Sequence, residues 1–169
     1  MKAPFLCGLA AALLLYMQAS AAAVVVQRVI DGDTVVLEGG ERVRLLGVDT
    51  PELKHPLAQV RAFAREASDF TRREIEGKNV RLEYDWDRKD HYGRTLAYVY
   101  REPDGFFLNV EIIKQGYGFA YTRFPFKFLE DFRAAERAAR EGNAGLWSDA
   151  GFPNAERNSK IKPHKEKTS

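Results

Sequence analysis

Three short β-branched runs separated by tight turns follow the first two dozen residues and restrict what the chain can fold into. The runs span residues 24–30, 34–37 and 42–48. An Asp-Gly-Asp turn at 31–33 separates the first two runs, and a Gly-Gly turn at 39–40 precedes the third. Such turns between apolar runs are strong hairpin signals, because their backbone needs positive φ angles. The pattern predicts a three-stranded antiparallel meander.

Helical and strand periodicities alternate over the rest of the chain. Apolar residues at helical spacing predict helices, and alternating apolar residues predict further strands. The predicted helices span 57–75, 110–115 and 127–141; the predicted strands span 80–84 and 94–100, and 106–107 extend the sheet. Leu146 and Trp147 follow as an apolar plug. Five strands and three helices predict an α+β fold, with a five-stranded OB-type β-barrel packed against the helices.

The first 23 residues have the composition of a secretory signal. Lys2 precedes an apolar run at 5–16, and small residues at 19–23 offer cleavage after Ala21 or Ala23. The run is too short to span a membrane comfortably. We therefore predict a secreted or periplasmic protein whose leader is cleaved, with an uncleaved membrane anchor as the alternative.

Cysteine content and charge exclude several kinds of chemistry. Cys7, in the leader, is the only cysteine, so a domain over 24–150 has no thiol nucleophile and no thiolate metal ligand. The 26 Lys and Arg residues barely exceed the 24 Asp and Glu residues, and this excess lies in a polar tail at 151–169 that we predict to be disordered. A domain without a basic surface binds a polyanion only through placed arginines and a cation.

Four carboxylates lie at turns that the meander brings to one end of the sheet. Asp31 and Asp33 occupy the first turn, and Asp49 and Glu52 follow the third strand. Like charges about 4 Å apart repel by roughly 4 kcal/mol near a protein surface, so the cluster favours a cation. Ligands that are all oxygen select Ca²⁺ or Mg²⁺. The alternative is that these acids only shape turns and cap a helix.

Two arginines lie on the strands next to these acids. Arg44 precedes Asp49 by five residues, and Arg94 begins the fifth strand. The guanidinium group matches two phosphate oxygens. A metal, two arginines and a carboxylate that orients or deprotonates water are the parts needed to hydrolyse a phosphodiester. Ordinary surface arginines are the alternative.

Three segments resemble the signature sequences of the staphylococcal nuclease family. They are IDGDTV at 30–35, RLLGVDTPE at 44–52 and DHYGRTLAY at 90–98, and their order and spacing also match. The likeness extends over about 24–147. The resemblance implies a barrel with three helices that acts as a calcium-dependent nuclease. Such an enzyme cleaves the P–O5′ bond of DNA and RNA and leaves 3′-phosphates.

The resemblance also implies a ligand set for Ca²⁺. Asp33 and Asp49 match the direct carboxylate ligands, and Thr50 matches a residue that binds through its backbone carbonyl. Asp31 matches an outer-shell acid. Only Ca²⁺ is implied as a cofactor.

The catalytic residues implied by the resemblance are Arg44, Glu52 and Arg94. Both arginines would bind phosphate, and Arg94 would also help the 5′-oxygen to leave. Glu52 matches a residue assigned as general base or as the group that orients water.

Two tyrosines match positions that contact the substrate in the family. Tyr92 would bound the pocket, and Tyr121 would stack on a base of single-stranded DNA or RNA. Arg123 stands where the family has a second tyrosine, which leaves base selectivity open. The sequence implies no protein partner, and we expect a monomer.

Two other functions are compatible with the same barrel. A non-catalytic binding module, as in Tudor-containing relatives, is disfavoured because Asp33, Arg44, Asp49, Glu52 and Arg94 are all present. A barrel that binds a small ligand and carries a structural calcium leaves the arginines unexplained.

Overall fold

The computed structural model of the protein describes residues 23–148 and 152–153. The predicted leader up to residue 22, Cys7 and nearly all of the predicted tail therefore lie outside the described residues. No helix within the described part is long and apolar enough to cross a membrane.

The described residues form short strands, three α-helices and a final 3-10 helix. In chain order they are β1 (Val24–Asp31), β2 (Thr34–Leu37), β3 (Arg42–Leu45), β4 (Val48–Asp49), α1 (Ala58–Ile75), β5 (Asn79–Glu83), β6 (Thr95–Arg101), β7 (Phe106–Phe107), α2 (Leu108–Lys114), β8 (Phe119–Ala120), α3 (Leu129–Glu141) and the 3-10 helix (Gly145–Trp147).

A closed five-stranded barrel forms the centre of the molecule. Its strands follow the order β3-β2-β1-β5-β6, and a parallel pairing of β3 with β6 closes it. The three helices pack around it, which confirms the predicted OB-type α+β fold. In the closing pair, Val43 lies opposite Thr95 and Arg44 lies opposite Leu96. Val43 and Leu45 face the interior, so Arg44 lies on the outer face.

The third strand is shorter than the sequence predicts. The prediction of one strand over 42–48 is wrong, because β3 ends at Leu45 and the chain turns at Gly47, where φ is +76°. A Cβ at Gly47 would lie 2.8 Å from the ring of Phe132 and 2.9 Å from that of Phe126. The chain resumes as β4, which pairs with β8 in a separate two-stranded sheet. This break between β3 and β4 places Asp49 at one end of the barrel, which we call the rim.

Tyr84 and Phe152 also differ from their predicted environments. The fourth strand ends at Glu83, and Tyr84 beyond it is 40% exposed instead of facing the core. Phe152, which we assigned to the polar tail, is buried. Its ring packs edge-on against Phe63, with centroids 5.3 Å apart. Leu146 and Trp147 are buried in the same cluster, as predicted.

Candidate active site

The site begins at the first hairpin turn, whose tight packing fixes Asp33. Gly32 lies so close to α1 that a Cβ there would be 2.8 Å from the Cβ of Ala67. The carbonyl of Gly32 accepts a hydrogen bond of 2.7 Å from the hydroxyl of Thr71 on the same helix. Glycine is required at this turn because any side chain would push the hairpin off the helix.

Asp33 is a buried acceptor that joins three segments of the chain. One carboxylate oxygen accepts hydrogen bonds from Arg44 Nη1 at 2.8 Å and from the Thr34 hydroxyl at 3.0 Å. The other accepts the backbone N–H of Thr50 at 3.1 Å. The Asp33 side chain is only 4% exposed, so these bonds replace the water that a buried carboxylate loses.

Arg44 bridges the two carboxylates that the sequence assigns to a metal. Its Nη1 contacts Asp33, and its Nη2 lies 3.3 Å from Asp49 Oδ1. The same Nη2 donates to the carbonyl of Val48 at 3.4 Å. The side chain of Arg44 is 20% exposed. Its guanidinium is therefore bound by these acceptors and still partly accessible to solvent.

Charge is concentrated around this guanidinium. Burial alone would lower the pKa of Arg44, but Asp33, Asp49, Asp31 and Glu52 together raise it above its usual value. Burial and then the neighbouring charge of Asp33 raise the pKa of Asp31 to about 7. Asp33 and Asp49 contact Arg44 directly, and the charges of Asp31 and Glu52 also act on it, so the acids carry more negative charge than one arginine balances.

The acids do not form a metal cage by themselves. Within the described residues, no group of three or more His, Cys, Asp or Glu side chains is arranged to hold a metal ion. The predicted direct ligands include only two carboxylates, of Asp33 and Asp49. Further oxygens, from the Thr50 carbonyl, water or a bound phosphate, would have to complete a coordination shell.

Glu52 lies on the exposed loop after β4. Its backbone carbonyl accepts the N–H of His55 at 3.1 Å, which closes a turn. Its charge is the smallest of the four that raise the pKa of Arg44. Exposure leaves this carboxylate accessible to water and to a bound substrate.

Arg94 is held by a turn built around Asp90. One oxygen of Asp90 accepts the backbone N–H groups of Tyr92 at 2.9 Å and Arg94 at 3.0 Å. The other oxygen accepts Arg94 Nε at 2.7 Å. Burial acts against these bonds, which nevertheless lower the pKa of Asp90 below its usual value. Asp90 thus fixes the Arg94 side chain through Nε, one of its five N–H donors.

An open cavity of about 470 Å³ lies at this turn. It is lined by Gly40, Arg42, Tyr92, Gly93 and Arg94. Sequence reasoning missed Arg42 as a lining residue and Asp90 as the group that orients Arg94. Both could have been found from their positions in the sequence. Arg42 lies two residues before Arg44, on the same strand face, and Asp90 lies four residues before Arg94.

Strand register relates this cavity to Arg44. Since Val43 lies opposite Thr95 in parallel strands, Arg94 lies level with Arg42. With about 3.3 Å per residue and 4.8 Å between strands, the Cα atoms of Arg94 and Arg44 are roughly 8 Å apart. Arg44 lies on the outer face of β3 and Arg94 directly precedes β6, so both lie within the span of one phosphodiester and its nearest groups.

Tyr121 lies opposite Gly47 and does not line the cavity. It follows β8, whose Phe119 is opposite Asp49, and its N–H donates to the carbonyl of Gly47 at 2.9 Å. The guanidinium carbon of Arg123 lies 5.6 Å from the centroid of the Tyr121 ring. Arg123 therefore covers one face of the ring that the family resemblance assigns to a base.

Comparison with known proteins identifies the protein family to which this barrel belongs. The family described as staphylococcal nuclease homologue matches residues 42–149. The chain belongs to the staphylococcal nuclease family.

Named relatives narrow the class to nucleases. The chain is 41% identical over 126 residues to the thermonuclease of Staphylococcus hyicus, covering 72% of this chain and 73% of that protein. It is also 41% identical to the thermonuclease of Staphylococcus intermedius, covering 72% and 74%. Endonuclease YncB of Bacillus subtilis is 38% identical over 135 residues, covering 76% and 63%. The protein is a nuclease and hence a hydrolase, so the two non-catalytic alternatives do not apply.

Proposed function

We propose that the protein is a calcium-dependent nuclease that hydrolyses DNA and RNA, preferably single-stranded, at the P–O5′ bond to leave 3′-phosphates. The observation that carries the proposal is the guanidinium of Arg44, held between Asp33 and Asp49 on the barrel rim. Arg94 directly precedes β6, the strand that pairs with the strand of Arg44. Two placed arginines beside a cluster of acids suit a charged phosphodiester.

The donor atoms at the rim fit a hard divalent cation. Asp33 and Asp49 offer carboxylate oxygens, Thr50 offers a backbone carbonyl, and Asp31 lies behind them as an outer-shell acid. The Asp33 N–H donates to an Asp31 carboxylate oxygen at 3.3 Å. Oxygen ligands favour Ca²⁺ or Mg²⁺ over zinc or copper. When bound, Ca²⁺ would supply positive charge to the phosphate and to the attacking oxygen.

The arginines stabilise charge that grows on the phosphate. Arg44 presents its outer edge while Asp33 and Asp49 fix its inner donors. Arg94 is fixed through Nε, and its remaining N–H donors serve the cavity. Donors that are already oriented cost no reorganisation during the reaction, which makes such stabilisation effective.

Glu52 takes the role of base or water-orienting group. A water molecule transfers a proton to the Glu52 carboxylate as its oxygen bonds to phosphorus. The P–O5′ bond then breaks, and the leaving 5′-oxygen takes up a proton from solvent water while Arg94 stabilises its charge. Glu52 returns its proton to solvent. The products are a 3′-phosphate and a 5′-hydroxyl.

Aromatic side chains near the cleavage site favour broad substrate use. Tyr92 is 74% exposed at the cavity and bounds it. Tyr121 offers its ring for stacking on a base. Stacking tolerates any base, as a nuclease of DNA and RNA requires. The signal-like leader supports action after export, in a secreted or periplasmic location, and we propose a monomer.

The chemistry of the product ends tests the proposed bond cleavage. A single-stranded DNA oligonucleotide with a fluorophore on its 5′ end, digested in Ca²⁺, is expected to give fragments that carry 3′-phosphates. Phosphatase treatment then retards each fragment on a denaturing gel, because the fragment loses negative charge. Synthetic markers with 3′-phosphate and 3′-hydroxyl ends provide the control. Fragments that already migrate as 3′-hydroxyl species would contradict cleavage at P–O5′.

A further inference from the structure

Exposed aromatic side chains are concentrated in the segment that joins β5 to β6. Within the described residues, five large hydrophobic side chains are markedly exposed, and three of them lie in this segment: Tyr84, Trp86 and Tyr92. Trp86 is the most exposed, at 86%. Single exposed apolar residues are ordinary, but clustered ones mark interaction sites. The mechanism uses Tyr92 and leaves Tyr84 and Trp86 without a role.

The segment is fixed to the barrel at its start. One oxygen of Asp85 accepts the Tyr98 hydroxyl at 2.6 Å and the backbone N–H of Lys127 at 2.7 Å. The other accepts the backbone N–H of Trp86 at 2.9 Å. Trp86 is therefore carried on an ordered backbone, which reduces the entropy lost when a ligand binds.

Two basic side chains, Arg88 and Lys89, follow Tyr84 and Trp86 in the same segment. The guanidinium carbon of Arg88 lies 5.0 Å from the Tyr84 ring centroid, within cation–π range. Lys89 follows, and Asp87 is the exposed acid between Trp86 and Arg88. Asp85 and Asp87 offset the charges of Arg88 and Lys89, so stacking provides most of the attraction. Aromatic rings with a neighbouring arginine are typical of surfaces that bind single strands.

The backbone register aligns this surface with the cleavage site. The N–H of Leu96 donates to the carbonyl of Arg88 at 2.9 Å, and Lys89 forms a bridge with Thr95. Leu96 also lies opposite Arg44, across the other edge of β6. Arg88 therefore lies two strand spacings, about 10 Å, from Arg44, on the same face. A strand bound at Arg44 can reach this surface within a few nucleotides.

We propose that Tyr84, Trp86 and Arg88 form a second subsite that binds the single-stranded flank of the substrate beyond the cleavage pocket. The proposal rests on the proposed nuclease function and explains how the enzyme binds longer substrates. Trp86 stacks on an unpaired base, and Arg88 contacts the neighbouring phosphate. Barrels of this type bind about 4–16 nucleotides, more than one cleavage pocket covers.

Substrate length separates this subsite from the cleavage pocket. Trp86→Ala is expected to raise KM about tenfold for a single-stranded oligonucleotide of about 15 nucleotides, the effect of losing one stacked base. For a substrate of about three nucleotides KM should not change, and kcat should not change for either. Trp86→Phe should restore most of the binding, and Leu57→Ala, which removes an exposed apolar side chain elsewhere, should behave as wild type.

Tryptophan fluorescence gives a binding readout that does not depend on cleavage. The chain has two tryptophans, and Trp147 is buried. Titrating the full chain carrying Glu52→Gln with the long oligonucleotide should quench the fluorescence, and adding Trp86→Phe should abolish most of that quenching.

The outcomes distinguish the two proposals. Wild type that cleaves both substrates while Trp86→Ala keeps its KM for the long one overturns the subsite alone. Wild type that cleaves neither substrate, in protein shown to be folded, overturns the nuclease function instead. Quenching that persists in Trp86→Phe would also contradict the subsite.

Discussion

Replacing Arg44 by alanine is expected to lower both the stability and the activity of the protein. Without the guanidinium, the buried carboxylate of Asp33 loses its cationic partner and Asp49 loses its link to β3. We expect a loss of about 3 kcal/mol in the free energy of unfolding, at the low end for a broken buried pair. Asp33 keeps its bonds from Thr34 and Thr50, which limits the loss.

The same substitution is expected to reduce kcat/KM on single-stranded DNA by about 10²–10³-fold, the cost of one transition-state donor. Urea denaturation and steady-state kinetics measure the two effects. Arg28→Ala, which removes an exposed arginine of β1, is the control and should change neither. Arg44→Lys should recover part of the stability but little activity, since a lysine lacks the planar fork. Wild-type stability and turnover in Arg44→Ala would remove Arg44 from the site.

Replacing Glu52 by glutamine is expected to reduce kcat by about 10²–10⁴-fold, because an amide cannot accept the proton of the attacking water. Glu52 is exposed and its side chain supports no buried contact in the described structure, so unfolding should occur at the same urea concentration. The isosteric change separates the loss of the base from a loss of fold.

Glu66→Gln is the matched control for this substitution. Glu66 is an exposed acid on α1, and its neutralisation changes the net charge by the same amount. Rates of both variants measured from acid to alkaline pH complete the comparison. A Glu52→Gln enzyme that matches wild type at every pH would eliminate Glu52 as base and as water-orienting group.

The barrel was predictable where local chemistry decides the structure. Asp-Gly and Gly-Gly turns between β-branched runs specify the first hairpins, and helical spacing specifies α1 and α3. The break after Leu45 was not predictable, because the rings that exclude a side chain at Gly47 come from Phe126 and Phe132, distant in sequence. Burial of Phe152 depends likewise on Phe63, on another element.

The positions of the rim acids could be predicted from the local sequence, but the residues that contact them could not. The meander brings Asp31, Asp33 and Asp49 to one end, and the structure has them there around Arg44. That Arg44 spans two of the carboxylates depends on the offset between β3 and β4, which the sequence does not reveal. The contribution of Arg42 to the cavity depends on the parallel closure of the barrel.

The most direct test of the proposed function is digestion of single-stranded DNA by the purified protein in Ca²⁺, in Mg²⁺ and in chelator, with Arg94→Ala beside it. We expect cleavage in Ca²⁺, none in chelator, and a large loss in Arg94→Ala although that variant stays folded. Cleavage that survives in chelator, or equal cleavage by Arg94→Ala, would contradict a calcium-dependent site built on this barrel rim.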